Sequence, residues 1–146
     1  GQSSMQSDFL IKYNGVLRGV MRWDKLDELW SNIRKQKTEG WYIYALGHEV
    51  PEKIADSDDL EHFITRINTL LREEHDEDYC GIVYADDFSH PSLVQIFDPN
   101  NLGTSCGSSK TAPLPGWVIS RSKPTALGQD IILPGNRKRW WSMLWS

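Results

Sequence analysis

Hydrophobic positions along this chain follow two different periods. Leu26, Leu29, Trp30 and Ile33 recur at spacings of three and four, and so do Leu60, Phe63, Ile64, Ile67, Leu70 and Leu71. Each set lines one face of a helix turning every 3.6 residues or so, and predicts a helix that buries that face. Asp24 is placed to cap the first helix, with Trp23 as a hydrophobic staple before it. Cations at Lys35 and Lys37 suit its C-terminal end, and Gly40 stops it. The second helix is expected to begin after Ser57, with Asp58 and Asp59 in its first turn.

Between these stripes lie shorter apolar runs that read as strands. Phe9-Leu10-Ile11-Lys12-Tyr13 and Val16 to Met21 flank Asn14-Gly15, the dipeptide that suits a type I′ turn, and predict a hairpin. Trp41 to Leu46 is a continuous apolar and aromatic run, as in a strand covered on both faces. Residues 79–85 and 93–97 predict two further strands, antiparallel across the polar turn 86–91, and Trp117 to Ser120 a last one. Residues 98–116 have no period and read as loop, and 121–136 read as extended. The expected fold is a two-layer α+β sandwich: a mixed sheet of five or six strands with two amphipathic helices. With the four residues ahead of Met5 set aside as an added leader, a single domain is expected over residues 5–120. Residues 121–146 then form an extended C-terminal segment ending in a basic, Trp-rich tail.

The mixed sheet matters for chemistry. If strands 41–46 and 79–85 run parallel, joined by a right-handed helical crossover, their carboxyl ends share one edge of the sheet. Ligands of open α/β sheets bind at such an edge. It would gather His48 and Glu49 with Asp86, Asp87 and His90, donors that suit a divalent transition metal, or a histidine acting as base beside a carboxylate. No His-Glu-x-x-His or EF-hand pattern is present, and the plainer reading is that these polar residues solvate turns. The aromatic strand 41–46 is a third, weaker candidate, as part of a ligand-binding domain.

The chain has 146 residues, 39% of them hydrophobic and 25% charged, enough for one domain with a true core. No run approaches the 18 or so apolar residues of a membrane span, and no secretory signal is visible. Two cysteines build neither a disulfide framework nor a structural zinc site, which points to a reducing cytoplasm. Cys80 reads as a small core residue. Cys106 lies in a Gly/Ser-rich loop and reads most simply as an incidental loop residue; were its thiolate reactive, His75 would be a better-placed base than His48 or His90. That loop lacks the Gly-Lys-Ser/Thr ending of a phosphate cradle, and no cofactor is expected.

Charge is split along the chain. Residues 49–87 hold thirteen acids against Lys53, Arg66 and Arg72, whereas 110–146 hold six bases against Asp130 alone. The acidic body argues against nucleic acid, whose binding grows with each phosphate neutralised. Arg137, Lys138 and Arg139 are followed by Trp140, Trp141, Met143, Leu144 and Trp145, too much apolar surface to leave uncovered. It can dock on this protein's own sheet or a neighbouring subunit. It can instead anchor a partner through Trp140, Trp141, Leu144 and Trp145 with Arg137 and Arg139 steering, or lie on a membrane surface. A single-strand nucleic-acid platform is the poorest fit. The expected function is a small cytoplasmic, non-catalytic accessory or assembly protein that uses this tail for partner or self contact. The alternative is a small metal-dependent or acid–base enzyme at His48, Glu49, Asp86 and His90.

Overall fold

The computed structural model describes residues 8–13, 15–36, 38–46, 48, 50–75, 78, 80–99, 115–125 and 135–145. In chain order these form α1 (Asp8–Tyr13), β1 (Arg18–Val20), α2 (Trp23–Lys35), β2 (Tyr42–Ala45), α3 (Ser57–Glu74), β3 (Val83–Ala85), β4 (Leu93–Ile96), β5 (Trp117–Ser120) and α4 (Gly135–Trp145). The fold is α+β, with an open five-stranded sheet in the order β1-β3-β4-β5-β2.

Both predicted helical stripes face the core. All four apolar positions of α2 and all six of α3 are buried against one face of the sheet. Their partners there are Ile43, Ala45, Val83, Ala85, Val94, Ile96, Trp117 and Ile119, the alternate residues of β2 to β5. The caps differ by a residue or two from expectation. α2 starts at Trp23 after Arg22, with Asp24 inside its first turn. α3 is capped by Asp56, whose carboxylate accepts from the Asp59 amide at 2.7 Å. Gly40, between α2 and β2, takes φ 96°, a conformation that costs a side-chain-bearing residue energy.

The opposite face of the sheet is smaller and is covered from the N-terminus. The predicted hairpin does not form: residues 8–13 are helix α1, and only Arg18–Val20 is strand, paired with β3. Phe9 is buried against Tyr44, Leu46, Leu93 and Val118, and stacks at 5.8 Å on Tyr13, one helical turn later. Burial at a spacing of four outweighs the strand propensity of these residues.

Every strand pairing is antiparallel, so the sheet is not mixed. β2 and β3 run in opposite senses and are separated by β4 and β5. The cause is the segment between β2 and α3. It doubles back beside β2, where the Ala55 amide donates to the Trp41 carbonyl at 2.7 Å. α3 therefore starts at the edge where β2 began and ends at the edge where β2 finished. β3 departs from there, in the reverse direction.

Candidate functional site

The reversal redistributes the sequence-predicted site. His48 follows the end of β2 at one edge of the sheet, and Asp86 and His90 follow the end of β3 at the other. Glu49 lies outside the described residues. His48 is thus not brought together with Asp86 and His90, because the parallel crossover that would have joined them is absent. Among the described residues no group of three or more His, Cys, Asp and Glu is arranged to hold a metal ion. Asp86 is occupied with closing its turn: its carboxylate accepts from the Ser92 and Leu93 amides and the Ser92 hydroxyl. That hydroxyl in turn accepts from Lys12 Nζ at 2.6 Å, tying α1 to the loop. Asp87 does similar work for the Ser89 and His90 amides. Cys106 and its loop are outside the described residues. His75 Nε2 donates to the Cys80 carbonyl at 2.8 Å, and Cys80 is fully buried, which pushes its thiol pKa up.

The polar and aromatic chemistry collects instead where α4 meets the edge of the sheet that carries His48. Arg137, in the first turn of α4, is only 5% exposed. Its Nε and Nη2 donate to the two Asp98 oxygens at 2.9 and 2.8 Å, and Nη2 also reaches Glu74 at 3.0 Å. Asp98 lies just past β4, and Glu74 is the last residue of α3. The guanidinium sits 5.6 Å from the Trp117 ring centroid. Burial works against its charge, but the hydrogen bonds to Asp98 and Glu74 outweigh it and hold the pKa above the ordinary arginine value. Arg137, expected to steer a partner, is an internal anchor.

Beyond it the indoles form a chain of ring contacts. Trp140 meets Trp117 edge-on at 5.5 Å, and Trp141 meets Phe63 at 6.4 Å and Trp145 at 5.3 Å. The His48 ring stacks on Trp141 at 5.5 Å. Burial, and then the nearby Lys138 cation, lower its pKa, so the neutral imidazole is favoured. At the far end His62 Nε2 donates to the Leu144 carbonyl at 2.8 Å, satisfying an acceptor in the last turn of α4. Leu144 is buried, Trp140 and Trp141 are half-buried, and Trp145 lies at the rim, 37% exposed. The expected extended tail is, over residues 135–145, a docked helix.

Comparison with family models, with curated proteins and with solved structures finds no match to this chain. What the site can do must therefore come from its own residues. Among the described side chains of α4, Lys138, Arg139, Ser142 and Met143 are turned outward, the last 67% exposed. Neither Lys138 nor Arg139 has an ion-pair partner among the described residues. A separate groove of about 350 Å³ runs between β1 and α2, lined by residues such as Met21, Lys25, Glu28, Asn32 and Phe88. Its lining contains no imidazole or thiol. No helix among the described residues is long and apolar enough to cross a membrane.

The residues that sequence reasoning missed are Asp98 and Glu74. Asp98 reads as part of a turn, Asp98-Pro99-Asn100-Asn101, and Glu74 as one acid among many. The charge split allows the basic stretch to fold back on the acidic one, without saying which acid would meet Arg137.

Proposed function

We propose that this protein is a non-catalytic interaction module whose contact surface is the outward side of α4. The observation that supports this reading is the division of labour within that helix. Arg137, Trp140, Trp141 and Leu144 hold it to the body, leaving Lys138, Arg139, Met143 and the rim of Trp145 turned to solvent. A docked helix whose exposed cations have no ion pair among the described residues, together with exposed apolar atoms, suits recognition of a protein surface, since a preformed element loses little freedom on binding. A membrane-surface role fits less well, because the apolar side of α4 faces inward and an interfacial helix must insert that side. The free thiol inside the core fits a reducing cytoplasm as the setting.

The test is affinity capture from the cells of origin, with wild type compared against Lys138→Glu/Arg139→Glu/Met143→Glu, followed by reconstitution with any purified partner. Loss of that partner by a variant with unchanged far-UV dichroism and melting temperature is the expected result. Equal capture by both proteins would defeat the reading.

A further inference from the structure

Two buried side-chain atoms have no hydrogen-bond partner among the described residues, and they are complementary. Gln36 Oε1 is an acceptor and Arg121 Nε is a donor. A polar atom shut away from water without a partner carries its full desolvation penalty, so two of opposite kind ask for one explanation. The chain brings both to one junction, at the end of the sheet away from α4. Gln36 caps the C-terminal end of α2 and is only 8% exposed. Its main-chain oxygen accepts from the Trp41 indole at 3.0 Å and from the Glu39 amide at 2.9 Å. Its Nε2 donates to the Pro91 carbonyl at 3.3 Å. That carbonyl can only accept, which fixes the amide's orientation and leaves Oε1 as the free atom. Arg121 directly follows β5, and its own amide donates to the carbonyl of Ser92, next to Pro91, at 2.9 Å. Its Nη2 donates to Glu39 Oε1 at 3.1 Å. The same two segments, 36–39 and 91–92, therefore hold both side chains.

A direct bond between the two would cost what they already have. Gln36 is tethered through Nε2 to Pro91, and Arg121 through Nη2 to Glu39, so neither swings toward the other without giving up a bond it makes. A water molecule donates and accepts at once, and an internal water needs two or more polar partners; this junction supplies one of each kind. We propose that a single internal water is bound between Gln36 Oε1 and Arg121 Nε, donating to the first and accepting from the second. Held there, it joins the C-terminal end of α2 to the turn before β4 and to the end of β5, three segments that come from distant parts of the chain.

Water–protein nuclear Overhauser spectra of the full, nitrogen-labelled chain test this. The expected result is a cross-peak from a long-lived water to the Arg121 Nε–H and to the side-chain amide hydrogens of Gln36. Arg121→Lys removes Nε but keeps a cation within reach of Glu39, and its spectrum should lose the water cross-peak at Gln36 while the amide shifts of α3 stay in place. If that variant fails to fold, Gln36→Met replaces it, and the cross-peak at the Arg121 Nε–H is then the one expected to vanish. A wild type with no long-lived water at either group, or a Gln36 cross-peak that survives Arg121→Lys, would overturn the proposal. A high-resolution crystal structure decides the same point: density for a water between the two atoms supports the site, and Arg121 Nε bonded directly to Gln36 Oε1 refutes it.

Discussion

Replacing Arg137 with methionine keeps most of the side-chain length and removes the guanidinium fork. Asp98, whose side chain is 6% exposed, then loses its counter-ion. Stripping one partner from a buried ion pair costs about 3–5 kcal/mol if the structure holds still. It need not hold still, because α4 can leave. The burial of Leu144 contributes about 2 kcal/mol, and each half-covered indole about 2.5 kcal/mol, from some 100 Å² at roughly 25 cal/mol per Å². Ordering the eleven residues of α4 opposes this with about 1 kcal/mol each, which exceeds the apolar gain. The Arg137 ion pairs therefore decide whether the helix docks. Arg137→Met should release α4, with a loss of about 3 kcal/mol in urea unfolding and rapid hydrogen exchange at amides 140–145. Arg137→Lys, which keeps a charge without the bidentate geometry, should lose about 1–2 kcal/mol. Asp98→Asn should cost less in the Arg137→Met background than alone, since the pair acts as one unit. Unchanged exchange at those amides, with a stability change under about 0.5 kcal/mol, would refute the anchoring role.

His48 has a lowered pKa, so the unfolded chain binds its proton first: the stability it allows is complete above about pH 6.5 and declines as pH falls from there through the folded value. Melting temperatures near pH 7.5 and pH 5 should consequently fall further for wild type than for His48→Gln, and equal falls would remove His48 from the pH response. Gly40→Ala should destabilise by about 1–2 kcal/mol from backbone strain alone, as its φ of 96° is left-handed while the nearest side-chain atoms, on Ile54, leave room at 3.6 Å; urea midpoints at constant m-value measure this. Asp86→Ala leaves two amides and a hydroxyl without their acceptor and should cost about 2–3 kcal/mol, partly recovered in Asp86→Asn; a neutral result would show that water replaces the carboxylate.

How much could be read from the residues depended on how local the deciding interaction was. α3 was legible because six apolar side chains at helical spacing can be buried together in only one way. The β3–β4 pair was legible because its strands are joined by a short polar turn, and they pair as expected, Val83 against Ile96. Residues 9–13 misled because Phe, Leu, Ile and Tyr favour strands on a pleated surface. The competing fact is long-range: Phe9 fits against Leu93 and Val118, and Ile11 is left 55% exposed. α4 was hidden for a related reason. Its indoles crowd several sides of the helix, so no clean apolar stripe marks it, and its stability depends on acids 63 and 39 positions earlier in the chain.

The site followed the topology. The chain after β2 returns beside it, where the Ala55 amide donates to the Trp41 carbonyl, and α3 then runs in the same sense as β2. That carries His48 away from Asp86 and His90, to the edge where β4 ends and β5 begins. There Trp141 supplies an aromatic face and Lys138 a positive field, where a parallel crossover would have offered carboxylates. The His48 ring, stacked on an indole beside a lysine rather than beside carboxylates, has its pKa lowered, which favours the neutral imidazole. The surroundings of His48 are thus set by where the chain passes from β2 to α3.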